Sequence, residues 1–366
     1  MPNLSKEVIQ FAAGNTDFYT AFQDFYAHDT YARTGKKIDI FNEDVSLSDK
    51  KTKIDNAFFA EVERMSGVKR DATNENAWAA NPVVSWAGFA VREAVINSLL
   101  PLTVNPSIGL YTDIQYASYG DIVHFKVQPR TLFTVSLGAH GERTTHRQKD
   151  YAGDVIIAPK EHIITTYTDM YTVLAGRESP SDYMRRVVLS IETAMTADAT
   201  AALTTGMQHG TYPAALSVQG AFNPKTLIKV AETVQAYNFG MKPMIVGTAS
   251  ALSNVVGDST LGFRGNYDAS NGSVGLLRDF YGYTLFQIPQ VATGNYTDMS
   301  LALPDDTLFV ISPATDKLVK MVISNTLNNS NQFYDNADIT SNNTVRKDWD
   351  AVFASAGFGG MYKITD

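Results

Sequence analysis

One long helix signal between Ser179 and Gly206 constrains this chain more than any other feature. Ser179 is a favourable N-cap residue, and Pro180 occupies the first helical position, where its missing N–H leaves no bond unmade. Asp182 lies three residues after the cap, so its carboxylate can reach back to it and favour the positive end of the helix. Gly206 supplies the stop. At 1.5 Å per residue, we expect a helix of roughly 39 Å, about the width of a small domain.

An apolar stripe follows this helix in steps of three and four residues, which is typical of a helix with one buried face. Its members are Met184, Val187, Val188, Ile191, Ala194, Met195, Ala199, Ala202 and Leu203. Arg185, Arg186 and Glu192 lie outside the stripe, and we predict that they form the solvated or interface face of the helix.

Length, charge and cysteine content exclude several classes of protein. A chain of 366 residues favours two packed lobes over one core. The net charge of −8 offers no basic surface for reading nucleic acid. Cysteine is absent, which excludes disulfides and thiolate sites and fits a protein made in the cytoplasm. The N-terminus has no signal-peptide pattern, and the apolar window 83–100 is interrupted by Arg92 and Glu93, so it predicts a buried helix rather than a membrane span.

Residues 1–50 are rich in aromatic side chains but show little sustained periodicity, which predicts a poorly packed arm. Seven aromatic residues occur in a short stretch: Phe11, Phe18, Tyr19, Phe22, Phe25, Tyr26 and Tyr31. The arm either packs on its own domain or lies on a neighbouring subunit. A helix is predicted over 49–66, and Asn81-Pro82 and Asn223-Pro224 mark two further helix starts.

From Gly109 to Gly176 the pattern changes to period two, which indicates strands. Ile122, His124 and Lys126 alternate with Val123, Phe125 and Val127. A polar tip follows, and the chain returns through residues 154–176, rich in Val, Ile, Thr and Tyr. We predict an extended β-hairpin, which needs a surface to lie on because an isolated hairpin is marginally stable.

The C-terminal half predicts a compact α/β lobe. MKPMIVGT is a short buried strand, and Thr248 caps the helix that follows. Residues 257–275 are a loop by composition, YGYTLFQIP, DTLFVIS and KLVKMVIS are strands, and the Asn-rich stretch 325–343 is a loop. VFASAGFGGMYKI closes the chain as a final strand with a bulge or bend.

The search for chemistry finds no catalytic, cofactor or metal site, so we predict a protein that is not an enzyme. His140, His146, Glu142 and Asp150 fall together on the hairpin tip, but their spacing matches no zinc pattern and favours a solvated charged tip. No phosphate-binding loop or nucleophile elbow occurs. The chain instead carries outreaching elements, which bury poorly within one chain and well between identical copies.

The order of parts resembles the major capsid protein of tailed bacteriophages with the HK97-type fold, an α+β capsid fold. KPMIVGTASALSNVV resembles the strand and helix of that family's axial domain, and GSVGLLRDFYGYTLFQIPQV resembles the strand that leads to a proline. DTLFVIS followed by KLVKMVIS resembles the paired strands after it. The resemblance covers roughly residues 100–366.

The resemblance implies a domain plan in which the spine helix packs on a peripheral sheet. The expected parts are an N-terminal arm (1–50), N-terminal helices of the peripheral region (51–108), an extended β-hairpin or E-loop (109–176), a peripheral domain with the spine helix (177–222), an axial α/β domain (223–325), and C-terminal strands returning to the peripheral domain (326–366).

It also implies hexamers and pentamers of an icosahedral shell, found in the virion, around double-stranded DNA held without sequence-specific contacts. Expected partners are neighbouring capsomers, a separate scaffolding protein and the portal protein, with no membrane. Two groups of contact residues are expected. The hairpin tip has Glu142, Arg143, Arg147, Lys149 and Asp150. The axial loop has Arg264, Asn266 and Tyr267. The alternatives are an encapsulin-like compartment shell, another β-rich virion structural protein, and an enzyme with a dispersed site.

Overall fold

The computed structural model describes the chain in sixteen stretches, which form two compact units. The described residues are 16–35, 37–38, 40–41, 44–71, 73–99, 108–118, 121–127, 153–168, 170–255, 272–273, 276–277, 279–292, 297–313, 316–324, 333–335 and 340–365. We call the two compact units the helical unit (Met1–Pro106, Lys160–Met195, Ser324–Trp349) and the sheet unit (Ser107–Pro159, Thr196–Ile323, Asp350–Asp366).

The helical unit is built mainly from helices. They are α1 (Thr16–Thr34), α2 (Leu47–Ser66), α3 (Glu75–Ala79), α4 (Pro82–Leu99), α5 (Met170–Leu174) and the first part of α6 (Pro180–Gly206), which continues into the sheet unit. The long helix, the helix over 49–66 and the helix after Asn81-Pro82 are confirmed.

The predicted lack of periodicity in residues 1–50 was wrong for the described part, because Thr16–Thr34 is helical. Tyr19, Phe22, Phe25 and Tyr26 are all at most 6% exposed. Their three- and four-residue steps place them on one helix face, and burial of that face outweighs the modest helix propensity of aromatic residues. For these residues the structure supports packing on the same unit. Residues 1–15 lie outside the described part.

Side-chain caps set the helix starts as the sequence predicts, with one addition. The Asn81 Oδ1 accepts from the Val83 N–H at 3.0 Å, and Ser179 Oγ accepts from the Asp182 N–H at 3.5 Å. Asp55 of α2 adds a second cap to α6, because its carboxylate accepts from Ser179 Oγ at 2.8 Å and from the Ser181 N–H at 3.0 Å. The negative charge of Asp55 therefore lies at the positive end of the spine helix.

Two strands and the larger part of a third complete the helical unit. The strand β4 (Lys160–Thr168) pairs antiparallel with β14 (Thr340–Phe353), from Thr168 opposite Ser341 to Lys160 opposite Trp349. The short β13 (Phe333–Asp335) pairs with the start of β14. The prediction of a loop over 325–343 was therefore wrong for 333–335 and 340–343, because strand partners override the low β propensity of asparagine.

The predicted hairpin is confirmed at its base and wrong beyond it. In the sheet unit, β2 (Val123–Val127) pairs antiparallel with β3 (Gly153–Ile157). The returning limb then leaves the hairpin, because Pro159 has no N–H to continue the ladder. Residues 160–168 pair with β14 instead, and 170–174 are helical. Residues 128–152, with the predicted tip, lie outside the described part.

A six-stranded sheet forms the core of the α/β lobe in the sheet unit. Its strands are β5 (Ser217–Gly220), β6 (Met244–Gly247), β9 (Asp279–Phe280), β10 (Tyr283–Gln287), β11 (Thr307–Ile311) and β15 (Gly360–Ile364). Across the sheet they lie in the order β5-β15-β11-β6-β10-β9. The helices α7 (Pro224–Tyr237) and α8 (Ala249–Ser253) pack on it, and Thr248 Oγ1 caps α8 by accepting from the Ala251 N–H at 3.3 Å. Asn223 Oδ1 caps α7 by accepting from the Lys225 N–H at 3.0 Å. The predicted buried strand, the Asn223 cap and the Thr248 cap are therefore confirmed.

Remote pairings correct two further expectations. The last strand, β15, pairs with β11 and β5, so it lies in the sheet of the α/β lobe rather than with peripheral strands. The strand β12 (Val319–Ser324) is hydrogen-bonded to β1 (Thr112–Ala117), whereas β11 lies between β15 and β6. The strands DTLFVIS and KLVKMVIS are therefore not neighbours. Pairing partners far away in sequence leave no local pattern, which is why these two expectations failed. The remaining strands, β7 (Gly272–Ser273) and β8 (Leu276–Leu277), form a small pair.

Glycine is required at position 206, the end of the spine helix, for a reason that the sequence did not show. Gly206 is the last helical residue and is not among the glycines with positive φ. A Cβ there would lie 2.0 Å from Cγ of Phe353, so the ring occupies the space that any larger residue would need. Close packing, and not backbone freedom, requires glycine at this position.

Candidate assembly surfaces and buried charge clusters

A buried network of charges holds α1 against the spine helix. The Tyr26 hydroxyl donates to Glu192 Oε2 at 2.7 Å, and Arg33 Nη2 donates to the same oxygen at 3.0 Å. Arg33 Nε binds Asp29 Oδ2 at 3.0 Å, and Arg185 Nη2 lies 2.6 Å from Asp29 Oδ1. We call these five residues the spine cluster.

The carboxylates of the spine cluster are buried and its guanidinium groups reach water. The side chains of Asp29 and Glu192 are 3% and 4% exposed, whereas those of Arg33 and Arg185 are 33% and 35% exposed. Burial opposes the charge of Arg33, but Glu192 and Asp29 outweigh it, so the pKa of Arg33 is raised. Burial and the Glu192 charge raise the pKa of Tyr26 well above its usual range. At neutral pH Arg33 is therefore charged and Tyr26 keeps the hydroxyl proton that it donates to Glu192, so the cluster acts as an internal clamp.

The prediction of a solvated or interface face on the spine helix was wrong for Glu192, whereas Arg185 is paired but still 35% exposed. Glu192 is buried in the spine cluster, and Arg185 pairs with Asp29 of α1. Arg186 is exposed as predicted. The polar contacts of the first half of α6 are with helices α1 and α2, and Tyr183 packs under the Arg92 guanidinium of α4. Packing of the stripe on a peripheral sheet stays a prediction.

A second charge cluster lies in the sheet unit around Lys320 of β12. Lys320 Nζ contacts Asp113 Oδ2 of β1 at 3.2 Å and Asp316 Oδ1 at 2.5 Å, and it lies 5.8 Å from the ring centre of Phe125 in β2. Asp316 Oδ2 also accepts from the Ala356 N–H at 3.2 Å. This Lys320 cluster links β1, β12 and the base of the hairpin.

A further buried lysine lies on β14 of the helical unit. Lys347 is 5% exposed, and its Nζ donates to the Ser324 carbonyl oxygen at 2.7 Å. Burial lowers the pKa of Lys347 to about 8. On the same pair of strands, the ring of His162 stacks on Trp349 with 3.6 Å between ring centres. The ring stack joins β4 to β14, whereas the Lys347 contact joins β14 to Ser324, the last residue of β12 (Val319–Ser324).

The hairpin base has one packed face and one open face, as its alternating pattern predicts. Phe125 and Ile157 join Ala117 and Val322 in a small core. On the other face, Ile122 and Ile156 are 56% and 60% exposed. Two exposed isoleucines on the open face make it a candidate interaction surface.

A cavity of about 320 Å³ lies in the sheet unit at the end of α6. Thr204, His209, Asp306 and Lys363 are among the residues that line it. Its polar groups contact protein atoms, because His209 Nδ1 lies 2.9 Å from the Ser217 carbonyl oxygen and Lys363 Nζ lies 3.6 Å from Asp306. Because these polar groups are already paired with protein atoms, the cleft favours a structural role.

The remaining predicted contact residues fall outside the described part of the chain. These are the hairpin-tip residues Glu142, Arg143, Arg147, Lys149 and Asp150, and the axial-loop residues Arg264, Asn266 and Tyr267. Among the residues that the structure does describe, no three His, Asp or Glu side chains gather as a metal site requires. Within the same residues, each helix is too short or too polar to cross a bilayer.

The sequence analysis missed the partners of both charge clusters. Asp29 and Arg33 are four residues apart on one helix face, and that i, i+4 spacing is a signal that could have been read. Asp316 and Lys320 have the same spacing but not on a helix, and Asp113 lies 207 residues from Lys320. No sequence pattern reports that contact.

Comparison with known proteins gives the class. The sequence matches, over residues 29–355, the family model described as "SPbeta prophage-derived putative capsid protein YonB". Among curated proteins, none matches the chain. The chain belongs to this prophage-derived capsid protein family. The predicted phage capsid protein, a virion structural protein rather than an enzyme, is thereby confirmed.

Several solved structures are similar at a low level. The mature capsid of bacteriophage PhiM1 shows 11% identity and a TM-score of 0.45, covering 71% of this chain and 87% of that one. The capsid of a native GTA particle shows 10% identity and a TM-score of 0.46, covering 72% and 92%. A phage-related protein from Bordetella bronchiseptica RB50 shows 12% identity and a TM-score of 0.45, covering 74% and 95%. The family assignment rests on the sequence match alone.

Proposed function

We propose that this protein is the major capsid protein of a tailed phage and assembles into hexamers and pentamers of an icosahedral shell with the HK97-type fold. The observation that carries the proposal is the capsid family match over residues 29–355, which spans both units. The shell encloses double-stranded DNA without sequence-specific contacts, in keeping with a net charge of −8. The protein is made in the host cytoplasm and works with a scaffolding protein and a portal protein.

The hairpin is the element that we assign to contacts with a neighbouring subunit. Its base exposes Ile122 and Ile156 on one face while the other face is packed. Burial of such apolar surface stabilises an interface by about 25 cal/mol per Å². The hairpin tip at 142–150 extends this contact, and the axial loop around 264–267 meets its copies at the capsomer centre.

The spine helix serves as an internal beam in this proposal. The spine cluster fixes α1 to its first half, and Asp55 caps its start. Residues 16–34 therefore belong to the body of the subunit, and any bracing of neighbours by the N-terminal arm is assigned to residues before them.

Negative-stain electron microscopy of the purified protein tests the proposal. We expect capsomers, tubes or closed shells, with or without a scaffolding partner. A particle that stays monomeric and compact at every concentration contradicts the capsid function. Co-purified DNA separates a phage shell from a compartment shell, which would retain an enzyme cargo instead.

A substitution on the open hairpin face tests the assigned contact. Ile156→Glu places a charge on that face, and we expect assembly to be lost while the subunit stays folded. Val83→Glu is the matched control, because Val83 is 52% exposed near the start of α4, where an acidic residue is favourable. Equal assembly by both variants contradicts the role of the hairpin face.

A further inference from the structure

Two exposed apolar patches lie on the α/β lobe of the sheet unit. The aromatic patch consists of Tyr237, Phe239 and Tyr281, which are 61%, 48% and 46% exposed. The methionine patch consists of Met299 and Leu301, which are 74% and 51% exposed. With 150–250 Å² per large aromatic side chain, the three aromatic side chains together expose about 300 Å² of surface.

Backbone strain marks the same two patches. Among the described residues, those with positive φ other than glycine are Phe239 (58°), Tyr281 (49°) and Met299 (48°). Large side chains disfavour this left-handed region, in which Gly, Asn and Asp are common. Strained residues of this kind persist mainly at functional surfaces. All three strained side chains are about half exposed or more, so each has surface available to a partner outside the subunit.

Strand register places the aromatic patch at one end of the sheet. Phe239 precedes the start of β6, and Tyr281 precedes the start of β10. These strands are parallel, with Leu285 opposite Ile245, so both starts lie at the same end. The Tyr283 hydroxyl also donates to Gln235 Oε1 at 3.2 Å, which joins the end of α7 to the turn at Tyr281.

The methionine patch lies at the opposite end of the same sheet. The segment 288–306 leaves the C-terminal end of β10 and enters β11, which runs antiparallel to β6. Within it, the Ala302 N–H donates to the Val291 carbonyl oxygen at 2.8 Å, and Gln290 Nε2 donates to the Leu303 carbonyl oxygen at 2.9 Å. These bonds hold Met299 and Leu301 on a fixed projection.

We infer that the methionine patch of one copy docks on the aromatic patch of the next copy, head to tail around the capsomer. This inference rests on the proposed function. Two different apolar patches at opposite ends of one lobe suit a heterologous contact, which closes into a ring when the rotation between copies allows it. Methionine sulfur packs favourably on aromatic rings, so the two surfaces are chemically matched.

Cross-linking tests the contact directly, since the natural chain has no cysteine. The full-length variant Tyr237→Cys/Met299→Cys is treated with a short bis-maleimide, which tolerates more separation than a disulfide. We expect a ladder of covalent oligomers up to the ring size on a denaturing gel. The control Tyr237→Cys/Val83→Cys has a second cysteine at an exposed site outside both patches and is expected to give no ladder.

Asparagine at the strained positions provides an independent test with an unusual sign. Phe239→Asn/Tyr281→Asn relieves the left-handed strain and creates Asn-Gly turns, so the thermal midpoint of the unassembled subunit should stay equal or rise. Assembly should need at least about tenfold more protein, which corresponds to 1.4 kcal/mol. A fall in the thermal midpoint with unchanged assembly would show that the rings only pack within the subunit.

The outcomes separate this inference from the proposed function. Shells without a cross-linked ladder overturn the head-to-tail contact and leave the capsid function intact. Cross-linking of Met299→Cys alone, as strongly as the pair, overturns it in favour of a two-fold contact between identical patches. A chain that remains monomeric by electron microscopy overturns both proposals.

Discussion

The spine cluster and the Lys320 cluster solve the burial of charge in opposite ways. In the spine cluster the carboxylates of Asp29 and Glu192 are buried, and the arginine partners are a third exposed. In the Lys320 cluster the cation is buried at 2% exposure, and the partners Asp113 and Asp316 are 40% and 25% exposed. In each case water reaches one sign of charge and not the other.

This difference decides which substitution harms the protein. Removing the exposed partner leaves a buried charge without compensation, which is strongly destabilising. Removing the buried charge also removes its desolvation cost and leaves partners that water can solvate, so it should be much less destabilising. The damaging substitutions should therefore be those of the arginines in the spine cluster and those of the aspartates in the Lys320 cluster.

The largest effect is expected for Arg33→Met. Glu192 would keep only the Tyr26 hydroxyl of its two partners described above, and Asp29 would keep Arg185. We expect a loss of about 3–4 kcal/mol in the free energy of unfolding, measured by urea denaturation of the unassembled subunit. Arg186→Met on the exposed side of α6 is the control, with a change within about 0.5 kcal/mol. Similar values for both variants would remove the clamp role of the spine cluster.

In the other cluster, Asp316→Asn should have the next largest effect. Lys320 would lose its closer carboxylate and keep Asp113 at 3.2 Å, whereas the amide oxygen of asparagine can still accept from the Ala356 N–H. We expect a loss of about 2 kcal/mol, since one charged partner remains. The exposed Asp305→Asn serves as the control. An effect larger than that of Arg33→Met would reverse the ranking of the two clusters.

Local signals in the sequence predicted helices well and partner strands poorly. Pro180, Pro82 and Pro224 each follow a capping residue, and each begins a helix in the structure. Such signals act within one turn, so they are readable. The pairing of β4 with β14 spans more than 170 residues, and nothing in either strand names its partner. Long-range pairing is decided by the whole core.

The candidate surfaces were predictable in pattern but not in partners. The alternation around Phe125 identified the packed and open faces of the hairpin correctly. The expected solvated face with Glu192 failed because burial of a carboxylate depends on Tyr26 and Arg33, which lie about 160 residues away. The strain at Phe239 and Tyr281 is visible only in the backbone. Both turns place an aromatic residue before glycine, and that sequence alone does not reveal the left-handed conformation.

A smaller effect is expected for Tyr26→Phe, which removes one hydrogen bond and no charge. Glu192 keeps its contact with Arg33 at 3.0 Å, so the carboxylate remains compensated. We expect a loss of about 1.5 kcal/mol, the lower end of the range for a hydrogen bond to a charged group, because Arg33 still compensates the carboxylate. The double variant with Arg33→Met measures the coupling between the two partners. Strict additivity would mean that they do not share Glu192.

The smallest effect is expected for Lys320→Met, although this residue is the most deeply buried charge of either cluster. Methionine has a similar length and can pack near Phe125, and the carboxylates of Asp113 and Asp316 are exposed enough to be solvated. We therefore expect a change within about 1 kcal/mol, in either direction, in the same urea experiment. Because Asp316→Asn keeps the lysine and Lys320→Met removes it, the two variants change the same contact from opposite sides. If Lys320→Met is the more damaging of the two, then the attraction between the charges outweighs the desolvation of the lysine, and the contrast between the two clusters fails.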